Sequence, residues 1–236
     1  MQRQRIEHEP AYVLHTRPFG DTSLLLEVFT PQHGRCGLIA KGARAPKSRK
    51  RALLQVLQPL LLSWRTSGEL GTLTAVEAAS APITLTGENL FCAWYANELL
   101  MKLLPRGAAH ANLFIAYSTL LPRLPDDAEA GLRAFECALL DELGLGLGLD
   151  TEIEPAGHYV YVGSYGLRPA MPNEPGSCAG TSLIALRDDA PYTPEARQEV
   201  RLLLRSVLRG LLGGRALESA QLLRELRAMP AAAAKP

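Results

Sequence analysis

Six cations fall within eleven residues of this chain: Lys41, Arg44, Lys47, Arg49, Lys50 and Arg51. Clustered ammonium and guanidinium groups meet successive phosphates and release their counterions, so the chemistry on offer is polyanion binding. The competing reading is a solvated surface loop, the ordinary fate of a basic cluster. Bond-breaking chemistry finds little support. There is no glycine-rich phosphate loop ending in Gly-Lys-Ser/Thr and no HExxH pair of metal ligands. His8, His15, His33, His110 and His158 are scattered and fall in no nucleophile motif. Asp126-Asp127 and Asp188-Asp189 have the residue types to hold Mg²⁺, but adjacent carboxylates at helix starts are more often caps. Cys36, Cys92, Cys137 and Cys178 are widely spaced with no CxxC pair, which reads as reduced, mostly buried thiols. The expectation is a protein that is not an enzyme and uses no metal and no cofactor.

The charge distribution favours the polyanion. Net charge is only +1 over 236 residues, yet residues 1–80 hold eleven cations against six anions, +5, leaving −4 for the remainder. A basic first third on a mildly acidic remainder suggests two functions. The apolar fraction of 47% is that of a soluble globular protein, large enough to bury a core. No stretch is long and apolar enough to span a bilayer, and the first five residues lack a secretory apolar segment. The chain therefore reads as cytoplasmic, with no membrane partner.

The elements that must hold the basic run are short strands. Residues 1–9 are polar and expected to fray. The pattern turns strand-like from Ala11, and residues 22–30 put Leu24, Leu26 and Val28 on one face with Leu25, Glu27 and Phe29 on the other. Pro31-Gln32-His33-Gly34 is a turn, predicting a hairpin with a third strand over 34–40. There Cys36, Leu38 and Ala40 share one face, and Arg35, Ile39 and Lys41 the other, placing Arg35 and Lys41 beside the basic run. Two more strands are expected at 59–65 and 71–77, joined by a turn over 66–69. The insertion 47–58 has room for a short helix. Five strands with one insertion after the third fit an OB-fold barrel, with an SH3-like barrel nearly as good on periodicity. Tyr12, Phe19, Phe29 and Trp64 read as core or barrel-end residues, so charge should dominate over base stacking.

Past Pro82 the period becomes helical. Helices are expected from Thr86-Gly87 to Pro105, over 112–121 ending at Pro122, and after a cap at Asp126 or Asp127. Gly144-Leu145-Gly146-Leu147-Gly148 resembles half of a dinucleotide fingerprint, but it follows a helix and lacks the third glycine; it reads as a helix C-cap and turn. Residues 150–192 look irregular, with strand-like pieces at 158–162 and 181–187. Thr193-Pro194 opens another helix, ended by Gly213-Gly214, with Arg197, Arg201, Arg205 and Arg209 at spacing four. That stripe is either a solvated face or a second anion site for DNA or an acidic peptide. A short helix covers 218–228, and a loose tail follows from Met229. The fold class is α+β: an OB-fold over 1–80, a mainly helical domain over 81–230 with an irregular β-containing insertion at 150–192, and a disordered tail at 231–236.

Taken in order, these residues resemble one family. Val13-Leu14-His15-Thr16-Arg17-Pro18-Phe19-Gly20-Asp21-Thr22-Ser23, Phe29-Thr30, Gly34-Arg35, Ala40-Lys41-Gly42-Ala43-Arg44, Leu53, Pro59-Leu60 and Gly68-Glu69-Leu70 are similar to the bacterial RecO family of recombination mediators. Glu98-Leu99, Leu132-Arg133-Ala134-Phe135-Glu136 and Leu139-Leu140 extend the likeness to nearly the whole chain. The resemblance implies a protein of the bacterial cytoplasm and nucleoid that binds single- and double-stranded DNA and anneals complementary strands. It implies help in loading RecA onto DNA coated by single-strand-binding protein (SSB), together with RecR and in some settings RecF, through the acidic SSB C-terminal tail. Lys41 and Arg44 match the family's basic strand end, and Arg133 falls where the family meets the SSB tail. Some members carry a four-cysteine zinc site in the region of residues 150–180. Here Thr151, Glu152 and Ile153 stand near one pair's place and Cys178 is alone near the other, so packing must hold that segment.

The expected phosphate contacts are thus Arg35, Lys41, Arg44, Lys47, Arg49, Lys50 and Arg51; the expected contacts for the SSB tail are Arg133, Arg201 and Arg205. Two rivals remain at this point: an adaptor that docks an acidic peptide without touching DNA, and a nuclease using Asp126 and Asp127.

Overall fold

The computed structural model describes residues 4–66 and 68–228. The chain divides into two compact units, Met1–Pro122 and Arg123–Pro236. The expected tail from Met229 and Ser67 of the expected turn lie outside the described residues.

In the first unit, β1 (Arg5–Phe19), β2 (Ser23–Thr30), β3 (Gly34–Ala40), β4 (Pro59–Thr66) and β5 (Leu70–Ala78) close into a barrel in the order β1-β2-β3-β5-β4. All neighbours are antiparallel except β3 and β5. This is the OB-fold topology, and it excludes the SH3-like alternative. The interior holds Val13, Leu26, Val28, Leu38, Leu60, Leu62, Trp64 and Leu73. Residues 5–9 do not fray. Closing the barrel requires β1 to pair along both edges, and its first half does so with β4, Arg5 opposite Arg65 and Ile6 opposite Trp64. A bulge lets the polar segment turn, with His8 at φ +50° donating its N–H to Ser63 Oγ at 3.0 Å.

The outer face of β1, β2 and β3 is covered as well. Helix α2 (Gly87–Leu103) and the start of α3 (Ala111–Glu142) lie against it. Tyr12 and Phe29 both meet Phe114 at 5.6 Å between ring centroids, and Tyr12 stands edge-on to Tyr117 at 5.0 Å. The Tyr117 hydroxyl donates to Asn97 Oδ1 at 2.5 Å, and Asn97 Nδ2 donates to Leu14 O at 3.0 Å, so two buried polar side chains are tied to a strand carbonyl. Burial pushes the Tyr117 phenol well above its ordinary value. The segment between the helices is stitched on by backbone: Gly107 N–H to Arg35 O at 3.0 Å and His110 N–H to Pro31 O at 3.2 Å. Gly34 permits this closeness, since at φ +55° a Cβ there would stand 1.7 Å from Ala108 O.

Glu27 is the charged centre of this face, only 8% exposed. It pairs with Arg35 (Oε2 to Nη1, 3.5 Å) and with Arg106 through both its oxygens. Arg35 Nε also donates to Leu104 O at 3.0 Å. Burial pushes the Arg35 guanidinium below its ordinary value; Glu27 draws it back and Arg106 adds to the push.

Helix α3 continues past Pro122, where an end was expected, and breaks at Asp127 (φ −151°, ψ 77°). Buried Leu120, Leu121 and Leu124 hold the segment against the lost proline hydrogen bond. Asp127 Oδ1 then accepts from Ala130 N–H at 3.1 Å, the expected cap. Helix α3 ends as Gly144 predicts: Gly144 sits at φ +71°, with Gly144 N–H to Asp141 O at 3.0 Å and Leu145 N–H to Leu140 O at 2.9 Å. Those two bonds make a Schellman end, not a phosphate loop.

Farther on, β6 (His158–Tyr161), β7 (Leu167–Pro169) and β8 (Cys178–Ala179) form a sheet in the order β7-β6-β8. Residues 181–187 are not a strand but part of α4 (Gly180–Arg187). The cause lies outside the segment. The Glu199 carboxylate accepts from Ala179 N–H at 3.0 Å and Ser182 Oγ at 2.7 Å, capping the helix, while Leu183 and Leu186 bury one turn apart. Tyr159 and Tyr161 lock the insertion: Glu154 N–H donates to the Tyr159 hydroxyl at 2.8 Å, and Tyr161 donates to Leu145 O at 2.9 Å. Helix α5 (Pro194–Leu211) starts at the Thr193 cap, and α6 (Glu218–Ala228) follows.

Two outcomes follow from this packing. Glu27→Gln should lower stability by about 2–3 kcal/mol, read from the denaturant midpoint, by leaving Arg35 without its counter-charge; a fully buried pair would lose ~3–5 kcal/mol, but Arg106 is 42% exposed. Burial is also the main cause pushing the Cys36, Cys137 and Cys178 thiols up to about 12. Their folded values lie above the unfolded one, so the stability they contribute is complete below pH 9 and falls as pH rises toward 12. Iodoacetamide at pH 8 should therefore modify these three slowly in the native protein and rapidly in urea, as mass spectrometry would record.

Candidate nucleic-acid interface

The basic run leaves the barrel where β3 ends at Ala40. Gly42 turns the chain at φ +67°, and Ala43 is fully buried in the barrel core. Arg44 N–H donates to Thr22 O at 2.7 Å and its Nη1 to Gly20 O at 3.3 Å, fastening the run to the β1–β2 turn. Ser48 N–H to Ala45 O (2.9 Å) makes a further turn before the single-turn helix α1 (Lys50–Leu53). Leu54 returns to the same core, and Leu57 N–H donates to Val13 O at 3.3 Å. Apolar plugs thus fix both ends of the loop while its middle stands out in water.

Along this run, Lys41, Arg44, Lys47, Arg49 and Arg51 are exposed and Lys50 is half-buried. None of the six forms an ion pair among the described residues. Six uncompensated charges on one end of a low-dielectric barrel project a strong positive field. Arg35 does not belong with them. Its side chain is 16% exposed and held by Glu27 beneath α2 and α3, so alternation along β3 correctly placed it outside the barrel but not in solvent.

In the second unit, Arg133 Nη1 pairs with the buried Glu136 at 2.6 Å and is 11% exposed, so it presents no open charge. Arg201 and Arg205 are exposed on α5, as is Arg209, opposite buried Val200, Leu203, Leu204 and Leu208. Arg197 reaches Glu129 at 3.0 Å. Of the carboxylates a nuclease would use, Asp126 is exposed, while Asp127 serves as a cap and meets Arg123 at 3.6 Å, Asp188 meets Arg187 at 2.8 Å and Asp189 meets Arg123 at 2.7 Å. Among the described residues no group of three or more His, Cys, Asp or Glu is arranged to hold a metal ion.

Two residues at the basic end were given no binding role in the sequence, Phe19 being read as a core or barrel-end residue. Arg17 is exposed near the end of β1, and Phe19 is 44% exposed at the β1–β2 turn. Tyr12, Phe29 and Trp64 are buried. An aromatic placed between Pro18 and Gly20, outside any apolar alternation, was the available signal. Among the described residues no helix is long and apolar enough to cross a membrane.

Comparison with known proteins agrees with this architecture. Residues 1–82 match the family model "Recombination protein O N terminal", and residues 85–156 match "Recombination protein O C terminal". A "DNA repair protein RecO" of Aromatoleum aromaticum is 41% identical over 236 residues, covering 96% of this chain and 98% of its own. Its namesake in Methylococcus capsulatus is 42% identical over 228 residues, covering 93% and 94%. That in Coxiella burnetii is 39% identical, covering 93% and 99%. With the OB barrel, the helical region and this full-length similarity together, the chain belongs to the RecO family of DNA repair proteins.

Proposed function

We propose that this protein is a recombination mediator that binds DNA through its basic loop and anneals complementary strands without nucleotide hydrolysis. The carrying observation is the set of six cations, Lys41, Arg44, Lys47, Arg49, Lys50 and Arg51, none with an anionic partner among the described residues. Backbone phosphates supply the missing anions, and neutralising two strands at once lowers the repulsion that keeps complements apart. Arg35 is left out of the contact set because Glu27 already holds it. Single and double strands share the phosphate chemistry, so both bind. Family membership supports the remaining roles: assistance to RecA on SSB-coated single strands, with RecR and RecF as partners. On α5, Arg201 and Arg205 are open to the acidic SSB tail, whereas Arg133 would have to exchange Glu136 for it.

A salt titration tests the loop. Changing Lys47, Arg49 and Arg51 together to Ala should flatten the log–log dependence of single-strand affinity on salt by roughly 0.7 per lost contact, about 2 in all. An unchanged slope places the binding site elsewhere. Complementary oligonucleotides should anneal faster with the protein in buffer lacking ATP, with bare strands and with SSB-coated ones. Replacing Arg201 and Arg205 with Glu should weaken binding of an acidic SSB-tail peptide, measured by fluorescence anisotropy, and leave the salt slope for DNA unaltered. Peptide binding with no measurable DNA affinity would instead favour an adaptor.

A further inference from the structure

We infer that Phe19 is a base-stacking residue that gives this protein a preference for single-stranded over double-stranded DNA. The inference rests on the loop reading above and deepens it, because charge alone favours the denser phosphates of a duplex and cannot select a single strand. Phe19 is a large apolar side chain left 44% exposed at the end of β1. Exposing an aromatic ring in a polar turn has no folding advantage, as burying it is the stabilising choice. Its three fellow aromatics of the barrel, Tyr12, Phe29 and Trp64, are all buried.

Its position is fixed relative to the cations. The strand register sets Pro18 opposite Leu24 and Leu24 opposite Ala40, and one step outward Phe19 faces Ser23. Lys41 follows Ala40, so Phe19 and Lys41 flank Ser23 in the row beyond, about 10 Å apart at the spacing of two strands. The turn after Phe19 is bolted to the basic loop by the two hydrogen bonds from Arg44, to Thr22 O and Gly20 O. Phosphate-binding cations and an open π-face are therefore held on one rigid end of the barrel. That pairing suits an unpaired nucleotide, whose phosphate and base are both available. A duplex offers the phosphate but keeps its base faces stacked away.

The test uses the full chain with a labelled oligothymidylate and a labelled duplex of equal length at one salt concentration. Phe19→Ala and Phe19→Leu should each weaken single-strand binding about fivefold to 150-fold, leave duplex binding within twofold, and keep the salt slope. Phe19→Trp should restore the single-strand affinity. The leucine variant keeps apolar bulk without a π-face, so its loss separates stacking from packing, and circular dichroism checks that each variant is folded. Equal loss on both substrates, or no loss on either, overturns the assignment. If the triple loop variant loses affinity while Phe19→Ala does not, stacking is refuted and the charge reading stands. If neither variant changes affinity, both fall.

Discussion

The β1–β2–β3 side of the barrel must be buried on both its faces, and the rest of the first unit is arranged to satisfy that demand. β2 carries apolar residues in both registers, Leu24, Leu26 and Val28 inside, Leu25 and Phe29 outside, with Glu27 alone among the outer ones in bearing charge. The inner set is met by barrel closure. The outer set is met by α2 and α3, which bring Phe114 and Tyr117 onto Tyr12 and Phe29. A carboxylate in that seam is tolerable only with its charge answered, and Arg35 and Arg106 answer it. Gly34 and the backbone bonds to Gly107 and His110 bring the connecting segment close enough to do so.

That same coverage separates two sets of cations in the first unit. Arg35 and Arg106 are consumed by the seam. The charges of the loop after β3 are not, because Ala43 and Leu54 anchor it through apolar contacts and leave its side chains nothing to neutralise. Structural and solvent-facing charge are thus kept on different elements, with Arg44 the exception, since its guanidinium also holds Gly20 O.

The barrel was largely legible from its local patterns, since alternation in residues 22–30 and 34–40 and the turn at Pro31–Gly34 depend on neighbours in sequence. The αL glycine at 144 and the Thr193-Pro194 helix start were equally local. What escaped depended on distant partners. Residues 5–9 are polar, yet β4 recruits their backbone to close the barrel. Residues 181–187 are short and ambiguous in period, and the Glu199 carboxylate decides for helix. Pro122 reads as a stop, but neighbouring buried leucines carry the helix through. In the candidate site the basic loop was visible as composition, whereas the seizure of Arg35 by Glu27 required the fold; the Arg133–Glu136 pair, three residues apart on one helix, was legible and went unread. Phe19 was visible only as an aromatic; its exposure was not.

The helices over the second face of β2 and β3 have one more effect. An OB-fold commonly lays an oligonucleotide across that flank, a groove long enough to sheathe several bases. Here the flank is occupied by the protein's own chain, and a strand could lie there only by prising α2 and α3 away. A polynucleotide held by the basic loop alone would be pinned at the barrel's tip like thread on a hook, with most of its letters hanging free for a complement to read.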